Sequence, residues 1–230
     1  VTIVIPTKDH VDLLRTCLDS VAQTTPQESV QVIVVDDHST DSETVAYLAT
    51  LESRTDLRCR VIHAPESPEG FNYSRLVNLG SAEADTPSIL HLNNDVEALK
   101  PGWLEDMAGW LSFPGTGVVG AKLVYPDGTI NHSGIGLSRG DGLAHVLFEK
   151  EPVDDLGHLF LPHATRNVSA VTGACLLTRT DLYRQLNGFD ETKLQVAYND
   201  VDYCLRAGAA NYRSVITPQA VLRHIGSASR

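Results

Sequence analysis

The chain has little with which to attract an anionic surface. Eighteen Lys and Arg stand against 29 Asp and Glu in 230 residues, a formal charge of −11. Nucleic-acid and anionic-membrane surfaces carry basic patches instead, so partners of both kinds are excluded. An anionic ligand would need a cation, a helix N-terminus or a few placed basic groups. Long apolar runs are also missing, and no stretch approaches the roughly 20 residues of a membrane-spanning helix. Cys17, Cys59, Cys175 and Cys204 are scattered without CxxC spacing, which favours a reducing compartment and a cytoplasmic location. Asn72, Asn131 and Asn167 open glycosylation sequons, yet no basic segment precedes the β-branched run Val1 to Ile5. They read as incidental. Eleven prolines and seventeen glycines fall singly between apolar runs, so the chain is expected to fold throughout.

What is present is a chain 42% apolar, enough to bury one sizeable core. "VTIVIPT", "VQVIVVDD", "LRCRVIHAP" and "PSILHL" read as buried strands. Between them lie helical patterns: Val11, Leu14, Leu18 and Val21 with Asp9 placed to cap, Thr40-x-x-Glu43 as a capping box, and "NYSRLVNLGSA". Pro101 is placed to start a further helix through Trp103 and Leu111. This alternation predicts an α/β fold with a mostly parallel sheet and a ligand crevice at the carboxyl ends of its strands. After Gly117, "GVVGAKLVYPDGTINHSGIGLS" reads as a hairpin, 139–166 as a long loop and "VSAVTGACLLTR" as a strand. "DVDYCLRAGA" is helical, and "SVITPQAVLRH" closes the sequence as extended structure.

Two polar clusters then fall on one rim. Asp36 and Asp37 end the second strand, and Asn93, Asn94 and Asp95 end the fourth. Each cluster alone is compatible with turn and cap chemistry. Together, on the binding edge of a parallel sheet, they suit Mg²⁺ or Mn²⁺, cations that keep waters and bind through one or two carboxylates plus substrate phosphates. The glycine-rich cradle of dinucleotide and P-loop folds is absent, since "PTKDHVD" follows the first strand without a glycine. An aspartyl-nucleophile phosphatase fails as well, because Pro6, Thr7 and Lys8 occupy the place of its paired acids.

The segments "VTIVIPT", "VIVVDDHSTD", "LHLNNDVE", "VTGACLL" and "GFDE…AYNDVDYCLRAG…RH" occur in an order that resembles inverting glycosyltransferases of family 2, with the GT-A fold. The resemblance covers essentially the whole chain. "PDGTINHSGIGL", "NDVDYCLR" and "RHIGSASR" look most like the bacterial branch of O-antigen and rhamnan rhamnosyltransferases. It implies a nucleotide-sugar-binding half at 1–113 and an acceptor-binding half at 114–230 of one catalytic domain. Pro6, Thr7 and Asp37 would contact the base or ribose of a dTDP-, UDP- or GDP-linked donor. Asn93, Asn94 and Asp95 stand at the family's DxD motif, with Asp95 the metal ligand and Asn93 a departure from the usual acid. His224 would supply an imidazole to the same metal. Asp200 would be the catalytic base, with Asn199 in place of the family's Glu. Gly173, Asn72, Arg75 and Asn78 would line the donor pocket.

For Asp200 the residues themselves leave open a helix N-terminal acid favoured by the dipole. Asp202 and Arg206, four apart on that helix, read as an ion pair, and His145, His158 and His163 as solvated loop residues. Because Val1 starts within a strand and Arg230 follows closely on His224, a domain of a longer chain is expected. Further domains or partners would bring it to the inner face of the membrane. The expected activity is metal-dependent, inverting transfer of a sugar, rhamnose among the candidates, to a saccharide acceptor in cell-surface polysaccharide synthesis. The alternative is a catalytically silent sugar-nucleotide-binding module of a larger synthase, which Asn93 and Asn199 favour.

Overall fold

The β-branched runs become strands buried on both faces, and their alternation divides the core in two. Ile3 and Ile5, Val32 and Val34, and Leu90 and Leu92 pack into one apolar cluster. Val4, Ile33, Val35 and Ile89 point the other way into a second. This double burial is what a parallel sheet covered by helices on each face requires. The computed structural model describes residues 1–67, 70–138, 140 and 144–226.

In chain order the elements are β1 (Thr2–Thr7), α1 (Val11–Thr24), β2 (Gln31–Asp36), α2 (Ser42–Leu48), β3 (Cys59–His63), α3 (Tyr73–Ala82) and β4 (Ser88–Leu92). Then follow β5 (Val96–Ala98), α4 (Trp103–Leu111), β6 (Thr116–Val124), β7 (Ile130–His132), β8 (Ile135–Leu137) and β9 (Ala144–Val146). The last are β10 (Arg166–Val168), β11 (Cys175–Arg179), α5 (Thr180–Gln185), α6 (Asn199–Ala209) and β12 (Arg213–His224). Among the described residues the main sheet has ten strands, with spatial order β10-β12-β6-β11-β4-β1-β2-β3 and with β5 on β12 and β7 on β6. A small antiparallel pair, β8 and β9, stands apart.

Strand directions decide where the site lies. β1 is parallel to β2 and β4, β11 runs antiparallel between β4 and β6, and β12 is parallel to β6. The carboxyl ends of β1, β2, β4 and β12 therefore meet the amino end of β11 at one edge. β11, from the second half of the chain, is inserted beside β4 from the first, so one sheet runs through 1–113 and 114–230 alike.

Several local expectations shift. Asp9 does not cap α1: its Oδ1 accepts from Thr40 N at 2.7 Å and Asp41 N at 2.8 Å. Left-handed backbone at Asp9 and His10 turns that carboxylate toward the neighbouring loop. The cap of α2 is Asp41 rather than Thr40, because the Asp41 carboxylate takes Thr44 N at 2.8 Å. Gly102 is the N-cap of α4, which places Pro101 just outside the helix. "VSAVTGACLLTR" is two strands, β10 and β11, separated by a turn at 172–174. The 139–166 segment carries β9 and a 3₁₀ turn, His158–His163; its residues 139 and 141–143 lie outside the described residues, as do 227–230 of "RHIGSASR".

Asn72, Arg75 and Asn78, at and within α3 and expected at the donor pocket, make hydrogen bonds that hold the fold. Asn72 caps the helix, its Oδ1 accepting from Arg75 N and its Nδ2 donating to Glu191 O. Arg75 donates to Pro65 O at 2.6 Å. Asn78 is saturated: Oδ1 accepts from Tyr183 Oη and Phe189 N, while Nδ2 donates to Phe189 O and Glu191 Oε2. Left-handed Gly188 presses against that Oδ1, where a Cβ would collide. Asn78→Ala strands these partners, so it should lower stability by about 2 kcal/mol or more. A reduced urea midpoint at unchanged slope is the expected measurement.

Candidate active site

At the polar end of β4, Asn94 donates from Nδ2 to Thr7 Oγ1 at 3.0 Å and ties the ends of β4 and β1 together. Asn93 and Asn94 both line the cleft, with Pro6, Thr7, Lys8, Phe71 and Tyr73. Asp95 is 3% exposed. Two acceptors here, Asn93 Oδ1 and Asp95 Oδ1, are buried without a hydrogen-bond partner. An unpaired buried polar atom costs about 1–3 kcal/mol and calls for an explanation.

β12 delivers the imidazole. It pairs antiparallel with β5, opposing His224 to Val96, and Ile225 N closes on Asp95 O at 3.1 Å. His224 Nε2 consequently lies 3.3 Å from Asp95 Oδ1, an ion-pair distance without hydrogen-bond alignment. Among the described residues no three His, Cys, Asp or Glu side chains converge as a metal cage. Asp95 and His224 form a pair, and one oxygen and one nitrogen ligand, with the unpartnered amide oxygen of Asn93 from the same segment, suit a Mg²⁺ or Mn²⁺ that completes its shell with water and phosphate. The orphaned oxygens make the fit physical rather than positional.

At the end of β2 the two acids divide their labour. Asp36 takes the turn chemistry, accepting from Ser39 N and Oγ and facing His63 Nδ1 at 3.0 Å. Asp37 faces Lys8 Nζ at 3.6 Å, and Lys8 lines the cleft.

On the opposite wall stands Asp200, in the first turn of α6. Its Oδ2 accepts from Gly173 N and its Oδ1 from Val201 N, both at 2.8 Å. Burial pushes the carboxyl above the usual Asp range, opposed by these backbone amides. Asp200 lines the cleft shared with Asn93, Tyr73 and His224. It also lines a second, adjoining cleft with Tyr125, Asn131, Val146 and Tyr198. Gly173 offers its bare backbone at this boundary. A Cβ there would meet Tyr73 Oη at 3.5 Å and Asp200 Cβ at 3.6 Å, ordinary contact, so the protein's own packing does not demand glycine. Asp202 pairs with Arg206 at 2.8 Å, and Arg206 also holds the carbonyls of Leu186 and Gly188.

Residues 2–186 match the family described as Glycosyl transferase family 2. The chain belongs to that family. This family 2 glycosyltransferase domain is 39% identical over its whole length to the uncharacterized protein y4gI of Sinorhizobium fredii, of which it spans 25%. It is 38% identical, again over its whole length, to the O-antigen biosynthesis protein RfbC of Myxococcus xanthus, of which it spans 18%. In fold it is similar to a mannosyltransferase from Pyrobaculum calidifontis solved with GDP-Man and Mn²⁺. The TM-score is 0.70 at 16% identity, over 99% of this chain and 58% of that one. That likeness, with the mixed sheet and helices on both faces, makes the fold GT-A. Among the described residues no helix is long and apolar enough to cross a membrane.

Sequence reasoning passed over Lys8, Phe71, Tyr73, Thr172 and Asn131, which the fold brings to the clefts from distant positions. Asn131 and Thr172 carried a signal, as parts of the "PDGTINHSGIGL" and "VTGACLL" motifs. Asn199 proves to be a donor. Its Nδ2 reaches Ser74 Oγ at 2.9 Å and Val196 O at 3.4 Å, and its Oδ1 accepts from Asp200 N. Ser74 spends its own proton on Leu194 O, so only a donor suits position 199. Asn199→Asp puts carboxylate oxygen against those acceptors in a site 3% exposed. A loss of about 1–3 kcal/mol in chemical denaturation is expected.

Proposed function

We propose that this domain is a metal-dependent, inverting glycosyltransferase that moves a sugar from a nucleotide-sugar donor to a saccharide acceptor. The observation that carries the reading is the place of Asp200, a carboxylate in the wall between two adjoining clefts. The donor occupies the cleft of Pro6, Thr7, Lys8 and Asn93, with Asp37 and its partner Lys8 on the base and ribose side. Asp95, His224 and the Asn93 amide oxygen hold Mg²⁺ or Mn²⁺. When bound, such a cation neutralises charge developing on the departing diphosphate. The acceptor enters beside Tyr198 and Tyr125, and Asp200 takes the proton of its attacking hydroxyl. Gly173 N–H and Val201 N–H each occupy one side of a carboxylate oxygen and fix its direction, leaving lone pairs for that proton. Burial supports the role by making Asp200 a stronger base than a solvated aspartate.

Likeness to the O-antigen biosynthesis protein over the whole chain supports a cell-surface polysaccharide as the acceptor, with rhamnose a candidate sugar and UDP, GDP or dTDP the candidate carrier. Asn199 does not favour a silent module, since its hydrogen bonds account for an amide there without removing the base.

Asp200→Asn should leave donor affinity near normal and cut transfer by at least about 10²-fold. In the wild-type domain kcat/KM should fall on an acid limb above the ~3.9 of an unperturbed aspartate. Transfer by Asp200→Asn at the wild-type rate would overturn the assignment.

A single displacement by the acceptor oxygen, opposite the diphosphate, inverts the anomeric centre once. An α-configured donor should give a β-linked product and a β-configured donor an α-linked one, as read by NMR of the product. Retention would overturn the one-base mechanism.

A further inference from the structure

The reading above gives the 126–137 motif no task, yet its β7 strand brings Asn131 Oδ1 to within 2.8 Å of His224 Nδ1, across 93 residues of sequence. The atom facing the ring is the amide oxygen, which only accepts, so the ring donates from Nδ1. In the neutral ring Nε2 then keeps its lone pair, aimed where Asp95 Oδ1 lies 3.3 Å away. Two lone pairs at that separation, on side chains 15% and 2% exposed, repel one another unless Nε2 takes up a proton or a cation lies between or beside them.

We propose that Asn131 is a positioning residue for His224. Its amide oxygen holds the imidazole as the Nδ1–H tautomer and presents Nε2 as a ligand beside Asp95. Metal-bound histidines are commonly oriented in this way, through the nitrogen that does not touch the metal. The inference rests on the metal site proposed above. It assigns a task to a motif whose polar residue otherwise has none.

Two readouts test it separately. In metal-free protein, ¹⁵N NMR of the His224 ring should report Nδ1–H in the wild type and loss of that single tautomer in Asn131→Leu. Mn²⁺ titrated in the presence of UDP, GDP or dTDP should bind about 10–100-fold more weakly to Asn131→Leu. Asn131→Asp keeps an acceptor opposite Nδ1 and should retain most of the affinity, a rescue that also guards against a misfolded leucine variant. An unchanged tautomer with unchanged Mn²⁺ affinity in Asn131→Leu would overturn the positioning role alone. Unchanged Mn²⁺ affinity in both Asp95→Ala and His224→Ala would overturn the metal site itself and leave the positioning role without its purpose, whatever the tautomer.

Discussion

The turn at Thr172, Gly173 and Ala174 is the constraint on which the rest of the site depends. Its backbone groups bind four separate elements. Thr172 N donates to His132 Nε2, Gly173 N to Asp200 Oδ2, and Ala174 O accepts from Asn93 N at the end of β4. Gly173 O accepts from Tyr73 Oη of α3 at 3.0 Å. A three-residue turn with no charge of its own thus sets Asp200, the β4 rim and the cleft wall relative to one another. Such positioning by rigid, hydrogen-bonded backbone is what keeps reacting groups within the narrow tolerances of catalysis.

The turn also explains a tension between stability and activity. Asp200 is held partly out of water, and burial raises its proton affinity. The sign follows: with the folded value above the unfolded one, this group contributes stability at low pH and loses it as pH rises through the folded value. At neutral pH the carboxylate is therefore a stability cost, reduced but not removed by two backbone amides. His132 makes the opposite compromise. Burial drives its pKa down to about 3, so it stays a neutral acceptor for Thr172 N and brings no charge near the site. Asn93 and Asp95 differ again, since each leaves a buried oxygen without a hydrogen-bond partner.

Much of the fold was legible in residue order. Continuous β-branched runs require burial on both faces, and short helical repeats between them require a parallel sheet. What misled was local chemistry with more than one outlet. Asp9, Asn72 and Asn78 are polar residues near a binding edge, and sequence position cannot tell a ligand contact from a cap or a clamp. Each was decided by a partner far along the chain: Asp9 by Thr40, Asn72 by Glu191, Asn78 by Phe189. Asp36 and Asp37 are adjacent, yet one takes the turn at Ser39 and the other faces Lys8.

The sequence by itself determined the fold class and pointed to one sheet edge and to the candidates Asp37, Asp95, Asp200 and His224, because these follow from periodicity, strand ends and motif order. Only the tertiary structure decided which of them meet. Asp95 and His224 are brought together by the pairing of β12 with β5, and Asp200 reaches its two clefts through a turn whose other bonds lead to α3, β4 and β7. These are contacts between residues 27 to 129 positions apart. Their geometry is fixed by sheet register and core packing, which no local pattern encodes.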